Sequence, residues 1–306
     1  MRRCERPPLP KRHGLEPACL RLPESNEWAT IRDFLVDRLA PHVTSNRVDE
    51  WIADGRVVDA EGPIGLDAPY VATSRVWFHR DLPDETPVPF EVEVIYRDES
   101  ILVADKPHFL ATIPRGKHIL ETALVRLRHQ FDLPDLVPAH RLDRATAGLV
   151  LFVVDPTKRG AYQGLFGGRT VRKTYEAIAP YRPDLELPQT VRTRIRKDRG
   201  TVVAYEEPGE ANSESLIELI EERNGLGRYR LSPHTGKTHQ LRLHMNGLGV
   251  PIVGDDIYPV LRDTALDDYS TPMQLLAKTL EFVDPLSGER RRFESRRRLS
   301  SWPPLP

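Results

Sequence analysis

The chain is expected to fold as an α+β protein: a large mixed, mainly antiparallel sheet flanked by helices, with a small α+β domain ahead of it. Three observations carry that expectation. Short runs that alternate polar and apolar residues, such as Val92-Glu93-Val94-Ile95-Tyr96 and Val171 to Ile178, have the two-residue period of half-buried strands. Stretches of helical period are few and do not alternate regularly with the strands, which disfavours an all-parallel sheet. A proline cluster at Pro83, Pro87 and Pro89 separates a first, smaller part from the rest.

Residues 1–24 hold Pro7, Pro8, Pro10, Pro17 and Pro23 and are expected to form an irregular arm. Within a small domain at 25–82, Ile31, Phe34, Leu35 and Leu39 recur at helical spacing and end before Pro41. Ser45 to Asp54 follows as a helix with Val48, Trp51 and Ile52 on one face and Gly55 as its stop. Arg56-Val57-Val58 and Val71 to Phe78 read as strands. Residues 83–90 form a linker, and 91–306 a second domain. There Ile101-Leu102-Val103-Ala104 is a strand stopped by Asp105-Lys106-Pro107, and Leu120 to Phe131 a helix. Leu149 to Val154 is an apolar strand, and Asp155-Pro156 begins a helix that runs through Phe166 to Gly167-Gly168. Val191 to Ile195, Leu216 to Ile220, Arg228 to Leu231 and Leu280 to Val283 are further strands, and Gln240 to Met245 a short helix. The end is a basic tail, Arg290 to Arg292 and Arg296 to Arg298, before Trp302-Pro303-Pro304.

Composition narrows the function. The chain has 306 residues with a formal net charge of −1, 39% hydrophobic and 29% charged, as in a polar-surfaced globular protein. No apolar run approaches the roughly 18 residues of a membrane span. The first twelve residues are basic and proline-broken, unlike a secretory signal. Cys4 and Cys19 form no CxxC pair and are too few for a disulfide framework, so a reducing cytoplasm is expected. Charge is uneven: residues 1–90 carry 12 basic against 15 acidic residues, and residues 139–200 carry 13 against 6. The second region is expected to face a polyanion. The excess of Arg over Lys suits phosphate contacts, and it equally fits a GC-rich coding sequence.

Several catalytic readings fail. Thr235-Gly236-Lys237-Thr238 invites a phosphate loop, but Leu231 stands where GxxxxGK[ST] requires glycine. His234, His239 and His244 lie five residues apart and share no helix face, so no metal site is expected. His140-Arg141-Leu142-Asp143-Arg144, taken alone, reads as an ordinary surface ion pair on a turn leading into a buried strand.

Three blocks change that reading when taken together. They are His140-Arg141-Leu142-Asp143 with Thr146 and Gly148, then Lys173-Thr174-Tyr175, then Gly236-Lys237-Thr238-His239-Gln240-Leu241-Arg242. With Asp105-Lys106-Pro107 ahead, and Gly254-Asp255-Asp256, Tyr258 and Gln274-Leu275-Leu276-Ala277 behind, they resemble, in order, the RluA family of pseudouridine synthases over roughly residues 90 to 290. The resemblance implies the pseudouridine synthase fold for 91–306. It implies Asp143 as the catalytic aspartate, Tyr175 stacked on the target uracil and assisting proton removal, and Arg242 paired with Asp143. It implies Arg141 in the space left by a flipped nucleotide, and Leu275 or Leu276 against the base. His140, Lys173, Lys237, His239 and Gln240, within the same blocks, are the further substrate contacts it implies. The chain departs from the family with Ala147 in a Thr-Ser-Gly step and Lys237 in a Gly-Arg-Thr step, both of which keep size or charge. Residues 25–82 loosely resemble the RNA-binding module (αL motif) first described in a small-subunit ribosomal protein, although Asp33, Asp37, Asp49, Glu50 and Asp54 stand where that module is more basic.

The chemistry agrees with the resemblance. Uridine isomerisation breaks one bond from the ribose to the base and makes another, with no net oxidation, so no cofactor is expected. A carboxylate anion suffices, as nucleophile or as base, and a nearby arginine stabilises it. A base inside a duplex must be flipped out at a cost of a few kcal/mol, and a tyrosine face returns about 1–3 kcal/mol by stacking. The expected partner is structured ribosomal or transfer RNA, with no membrane, and the expected state a monomer. The alternative is a catalytically silent RNA-binding or ribosome-assembly factor, against which the intact Asp143, Tyr175 and Arg242 set speaks.

Overall fold

The computed structural model describes residues 7–40 and 42–302. Cys4, Pro41, Pro303 and Pro304 lie outside the described residues. The chain divides into two compact units, Met1–Pro83 and Asp84–Pro306.

In the first unit, β1 (Ala18–Arg21), α1 (Ile31–Leu39), α2 (Ser45–Ala53), β2 (Val57–Val58) and β3 (Arg75–Phe78) build a three-stranded sheet in the order β1-β3-β2 under two helices. Thr30 starts α1 through a capping box with Asp33, and Thr44 caps α2 by accepting from the Arg47 N–H. Phe34, Leu35, Val48, Trp51, Val76 and Phe78 close the core. The arm expected to be irregular is corrected at Ala18–Arg21, which pairs antiparallel along all of β3. The strand expected from Val71 begins only at Arg75, because Thr73 sits at φ 69° in a turn. The acidic residues of this unit are largely used internally. Asp33 caps, Asp49 binds Arg32, and Asp81 binds Arg47 and Arg56.

The second unit begins with the proline-rich stretch taken for a linker, and that stretch is bound to it. The Glu85 carboxylate accepts the N–H groups of Ile119, Leu120 and Glu121, and Arg126 donates to the carbonyls of Val88 and Phe90. The elements that follow are β4 (Glu93–Arg97), β5 (Ile101–Lys106), α3 (Ala123–Phe131), β6 (Val137–Pro138), β7 (Ala147–Val153), a 3-10 turn (Pro156–Lys158) running into α4 (Arg159–Gly167), and β8 (Arg172–Pro180). Then come β9 (Gln189–Arg196), β10 (Tyr205–Glu207), β11 (Ser213–Arg223), β12 (Leu226–Pro233), α5 (Gln240–Gly247), β13 (Leu275–Val283) and β14 (Arg290–Glu294). Two expectations need correction here. β5 continues through Asp105 and Lys106, and Arg290 to Arg292 form an edge strand on β13 where a basic tail was expected.

One sheet of eleven strands runs β10-β9-β11-β12-β8-β13-β7-β5-β4, with β14 on β13 and β6 on β7. β5 and β7 are buried on both faces. Leu102, Ala104, Val150 and Phe152 point to α3, while Ile101, Val103, Leu149 and Leu151 share a core with Tyr162 of α4, as the two-residue strand period requires.

Among the described strands every pair is antiparallel except β13 with β7, where Leu276 lies opposite Ala147 and Ala277 opposite Gly148. Ala277 faces Tyr175 of β8 on its other side. Gly148 has φ 112°, and a Cβ there would lie 2.3 Å from the Ala277 carbonyl oxygen and 2.6 Å from its nitrogen, backbone atoms that cannot rotate away. Gly148→Ala is therefore expected to lower stability by about 3 kcal/mol, read as an earlier urea midpoint. Gly160→Ala, in open space on α4, is expected to leave the midpoint unchanged or raise it slightly.

Candidate active site

The turn ahead of β7 is held from three directions. Thr112 Oγ donates to the Leu142 carbonyl at 2.7 Å and accepts the Leu142 N–H at 3.1 Å. His108 Nδ1 meets the Ala145 carbonyl at 2.8 Å, and buried Lys106 donates to the carbonyls of Pro107, Leu110 and Arg144. The Thr146 N–H closes the turn onto the Asp143 carbonyl. These contacts leave the Asp143 side chain 40% exposed, in the lining of a groove of about 1100 Å³.

Around that carboxylate the structure gathers most of the residues the sequence singled out. His140, Arg141, Lys173, Tyr175, Lys237, His239, Gln240, Arg242 and Leu275 all line the groove. Leu276 does not: strand alternation turns it to the opposite face, against Ala147, Ile178 and Leu299. Gln240 is withdrawn from substrate in a different way. Its Oε1 accepts from Thr235 Oγ and the Lys237 N–H, and its Nε2 donates to the Glu214 carbonyl and Ser215 Oγ. All four of its hydrogen-bonding positions are thus filled, and they pin the 235–239 loop to β11.

The expected Arg242–Asp143 ion pair is also corrected. Arg242 forks onto Asp255, with Nε donating at 2.7 Å, and reaches Asp256 at 2.9 Å. Asp255 in turn accepts the N–H groups of Ile257 and Tyr258. Against the cost of burial, Asp255 and then the more distant Asp143 hold the Arg242 guanidinium above its ordinary range. Among the described residues the basic side chain that comes within 4 Å of Asp143 is instead His239, with Nε2 3.9 Å from a carboxylate oxygen. Burial pushes His239 down to about 4, only partly offset by the Asp143 charge, so the ring is neutral at pH 7.

Tyr175 is held well above the ordinary phenol range, first by burial and then by the charge on Asp143. It therefore keeps its proton. His140 is likewise pushed down to about 3 by burial and then by the Lys173 charge. It accepts the Leu151 N–H and stacks on Phe166 with centroids 4.3 Å apart. Arg144, which the sequence left without a task, donates to the Leu266 carbonyl at 2.6 Å and lies over Phe109, tying down a segment of the groove wall.

The surroundings are basic without compensation. Arg115, Lys117, Arg141, Arg169, Lys173, Lys197 and Lys237 line the groove, and none has an ion-pair partner among the described residues. Other basic residues of the 139–200 region are neutralised: Arg182 by Asp184, Arg192 by Glu214, Arg194 by Glu207 and Arg196 by Asp198. Much of the uncompensated charge of this region thus lies at the groove.

A family model described as RNA pseudouridylate synthase matches residues 100–247. The dual-specificity RNA pseudouridine synthase RluA of Vibrio cholerae serotype O1 is 32% identical over 201 residues, covering 64% of this chain and 79% of that one. The chain belongs to the RluA-type family of RNA pseudouridine synthases. It is an isomerase that converts uridine to pseudouridine in RNA. The ribosomal large subunit pseudouridine synthase D of Pseudomonas aeruginosa is 28% identical over 292 residues, covering 86% of this chain and 87% of that one. Among solved structures, human RNA pseudouridylate synthase domain containing 1 superposes with a TM-score of 0.52 at 23% identity, covering 69% of this chain and 86% of that one, a likeness of fold.

In this family member, sequence reasoning missed three groups. Lys106 was read as the end of a strand, yet it lies buried near Asp143, and burial brings it down to about 7. Lys197 and Arg115 reach the groove from loops whose folding back no local pattern announces. The only available signal for Lys106 was its place beside a proline within a recognised block.

Burial also brings His108 down to about 4. His108, His140 and His239 thus titrate below the roughly 6.5 of an unfolded chain. Their sites are fully stable above that value. Stability falls as the pH drops toward 4, because the unfolded state takes up protons that the folded state refuses. The urea midpoint is expected to drop markedly between about pH 7 and about pH 5, with a shallower drop in His108→Gln.

Proposed function

We propose that this synthase isomerises a specific uridine in structured ribosomal or transfer RNA, in the cytoplasm, by presenting the Asp143 carboxylate to the ribose of a flipped-out nucleotide. The observation that carries the reading is that carboxylate: partly exposed in the lining of a groove whose lysines and arginines have no protein counter-ions among the described residues. Phosphates of a folded RNA are the natural counter-ions for such a surface. Two relatives support the RNA class by name, one a ribosomal large subunit synthase and one a dual-specificity RNA synthase.

In this reading Asp143 starts the reaction either by attacking C1′ or by taking a proton from C2′. The N1–C1′ bond breaks, the freed uracil turns, and C1′ bonds to C5. The hydrogen leaving C5 is balanced by one gained at N1, so no cofactor enters. Tyr175 serves as a flat face and hydrogen-bond donor. Its phenol, held up first by burial and then by the Asp143 charge, keeps its proton and can donate it. Leu275 packs on the base, and Arg242 holds the Asp255–Tyr258 turn while its charge acts on Asp143. Arg141, exposed and unpaired among the described residues, fills the vacated stack.

Tritium release from RNA labelled at uracil C5 tests the chemistry. Wild type is expected to release tritium, and Asp143→Asn to lose at least about a thousandfold in rate. Equal release by both would sink the assignment. Mapping pseudouridines in total RNA from a deletion strain locates the target. Tyr175→Phe is expected to keep RNA affinity and lose only part of the rate, whereas Tyr175→Leu should also weaken binding by about 1–3 kcal/mol.

A further inference from the structure

His239 sits in a hydrogen-bond chain that fixes which of its nitrogens carries the proton. The Tyr258 hydroxyl lies 2.6 Å from the Ala204 carbonyl, 3.0 Å from the Ala204 N–H and 3.0 Å from His239 Nδ1. A phenol has one hydrogen. The carbonyl can only accept, so the hydrogen goes there, and the phenol oxygen accepts from Ala204 N–H. The remaining contact is satisfied only if His239 Nδ1 is an N–H donor. In a neutral imidazole Nε2 is then a bare lone pair.

That lone pair faces Asp143 across 3.9 Å, too far for a hydrogen bond and with an acceptor at each end. The charged and titratable groups around the ring are Asp143, Arg242, Lys197, Asp255 and Tyr258, and none donates to Nε2 among the described residues. His239 is fixed at φ 56° ahead of α5, its ring edge-on to Tyr258 with centroids 5.7 Å apart, so it cannot swing away cheaply. The arrangement lacks a donor that enters from the groove.

An internal uridine has only two donors, uracil N3–H and the ribose 2′-hydroxyl, because its 3′ and 5′ oxygens are esterified. Asp143 works at C1′ or C2′, beside the 2′-hydroxyl. N3–H points away on the far side of the base. We propose that His239 Nε2 accepts a hydrogen bond from the 2′-hydroxyl of the target nucleotide, making His239 the residue through which this enzyme demands ribose. This rests on the pseudouridine synthase reading of the same groove. A site built to bond a hydroxyl rejects the analogue that lacks it, because its acceptor is left unpaired.

The test uses an RNA hairpin spanning the mapped uridine, carrying either uridine or 2′-deoxyuridine at that position. Binding is read by fluorescence anisotropy in an Asp143→Ala background, where neither RNA turns over and residue 143 has no polar side chain. The uridine hairpin is expected to bind about tenfold tighter than the deoxyuridine hairpin. Adding His239→Leu should abolish that preference. Adding His239→Gln, whose carbonyl can accept at a similar reach, should restore part of it. If the leucine protein does not fold, Tyr258→Phe replaces it. It keeps the imidazole but frees Nδ1 of its acceptor, and a reduced preference is expected. A preference that survives both His239→Leu and Tyr258→Phe, or no preference in the Asp143→Ala protein, overturns the proposal. Absence of tritium release by wild type would instead defeat the reading of the groove itself.

Discussion

The arrangement depends on one close approach, the parallel contact of β7 with β13. It joins the antiparallel block β10-β9-β11-β12-β8-β13 to the block β7-β5-β4, and it is the only parallel pairing among the described strands. Gly148 lets the two backbones meet. Ala277, the residue it meets, is flanked on its far side by Tyr175. The aspartate turn ahead of β7 and the tyrosine of β8 are thereby placed about two strand spacings apart, roughly 10 Å across the sheet. A side chain at 148 would push apart the two halves from which the groove is assembled.

Around this seam the protein separates charges that hold structure from charges left for substrate. Asp105, wholly buried, accepts from Ser295 Oγ and the Arg296 N–H and attracts Arg297, fastening the chain after β14 to the end of β5. Arg242 is likewise occupied with Asp255 and Asp256. Leaving one partner of such buried pairs alone costs several kcal/mol, so these groups are structural even where they border the site. The groove cations are different. Water and counter-ions solvate them in the free enzyme, and RNA phosphates can replace those ions, which makes association strongly salt-dependent.

What was legible in the sequence follows the same division. Strand and helix positions were readable because apolar periodicity is local: Thr30 and Thr44 announce their helices, and Ile101 to Ala104 its strand. The contacts that decide the site are not local. Arg242 chooses Asp255, thirteen residues on, over Asp143, ninety-nine residues back, and only the folded turn at Asp255–Tyr258 explains that choice. Leu275 and Leu276 were indistinguishable until strand phase set one in the groove and the other behind the sheet. Gln240 was taken for a substrate contact from its place in the Gly236–Arg242 block. Nothing short of its four partners shows that it has no hydrogen-bonding capacity left. Ala18 to Arg21 was hidden because the prolines on either side mask an edge strand that only β3 stabilises.

Asp143 works beside neutral and charged groups at once. Burial holds His239 unprotonated and Tyr175 protonated and draws Lys106 toward neutrality, while Arg242 keeps its charge. Neutral neighbours matter for a carboxylate that must move between bonded and free forms during one turnover. A tight salt bridge would stabilise the free anion and oppose each covalent or proton-transfer step. Arg242, satisfied by two other carboxylates, supplies field without contact. The carboxylate is thus left without a direct ion pair to Arg242, and the 40% of its side chain left exposed is the part a nucleotide can reach.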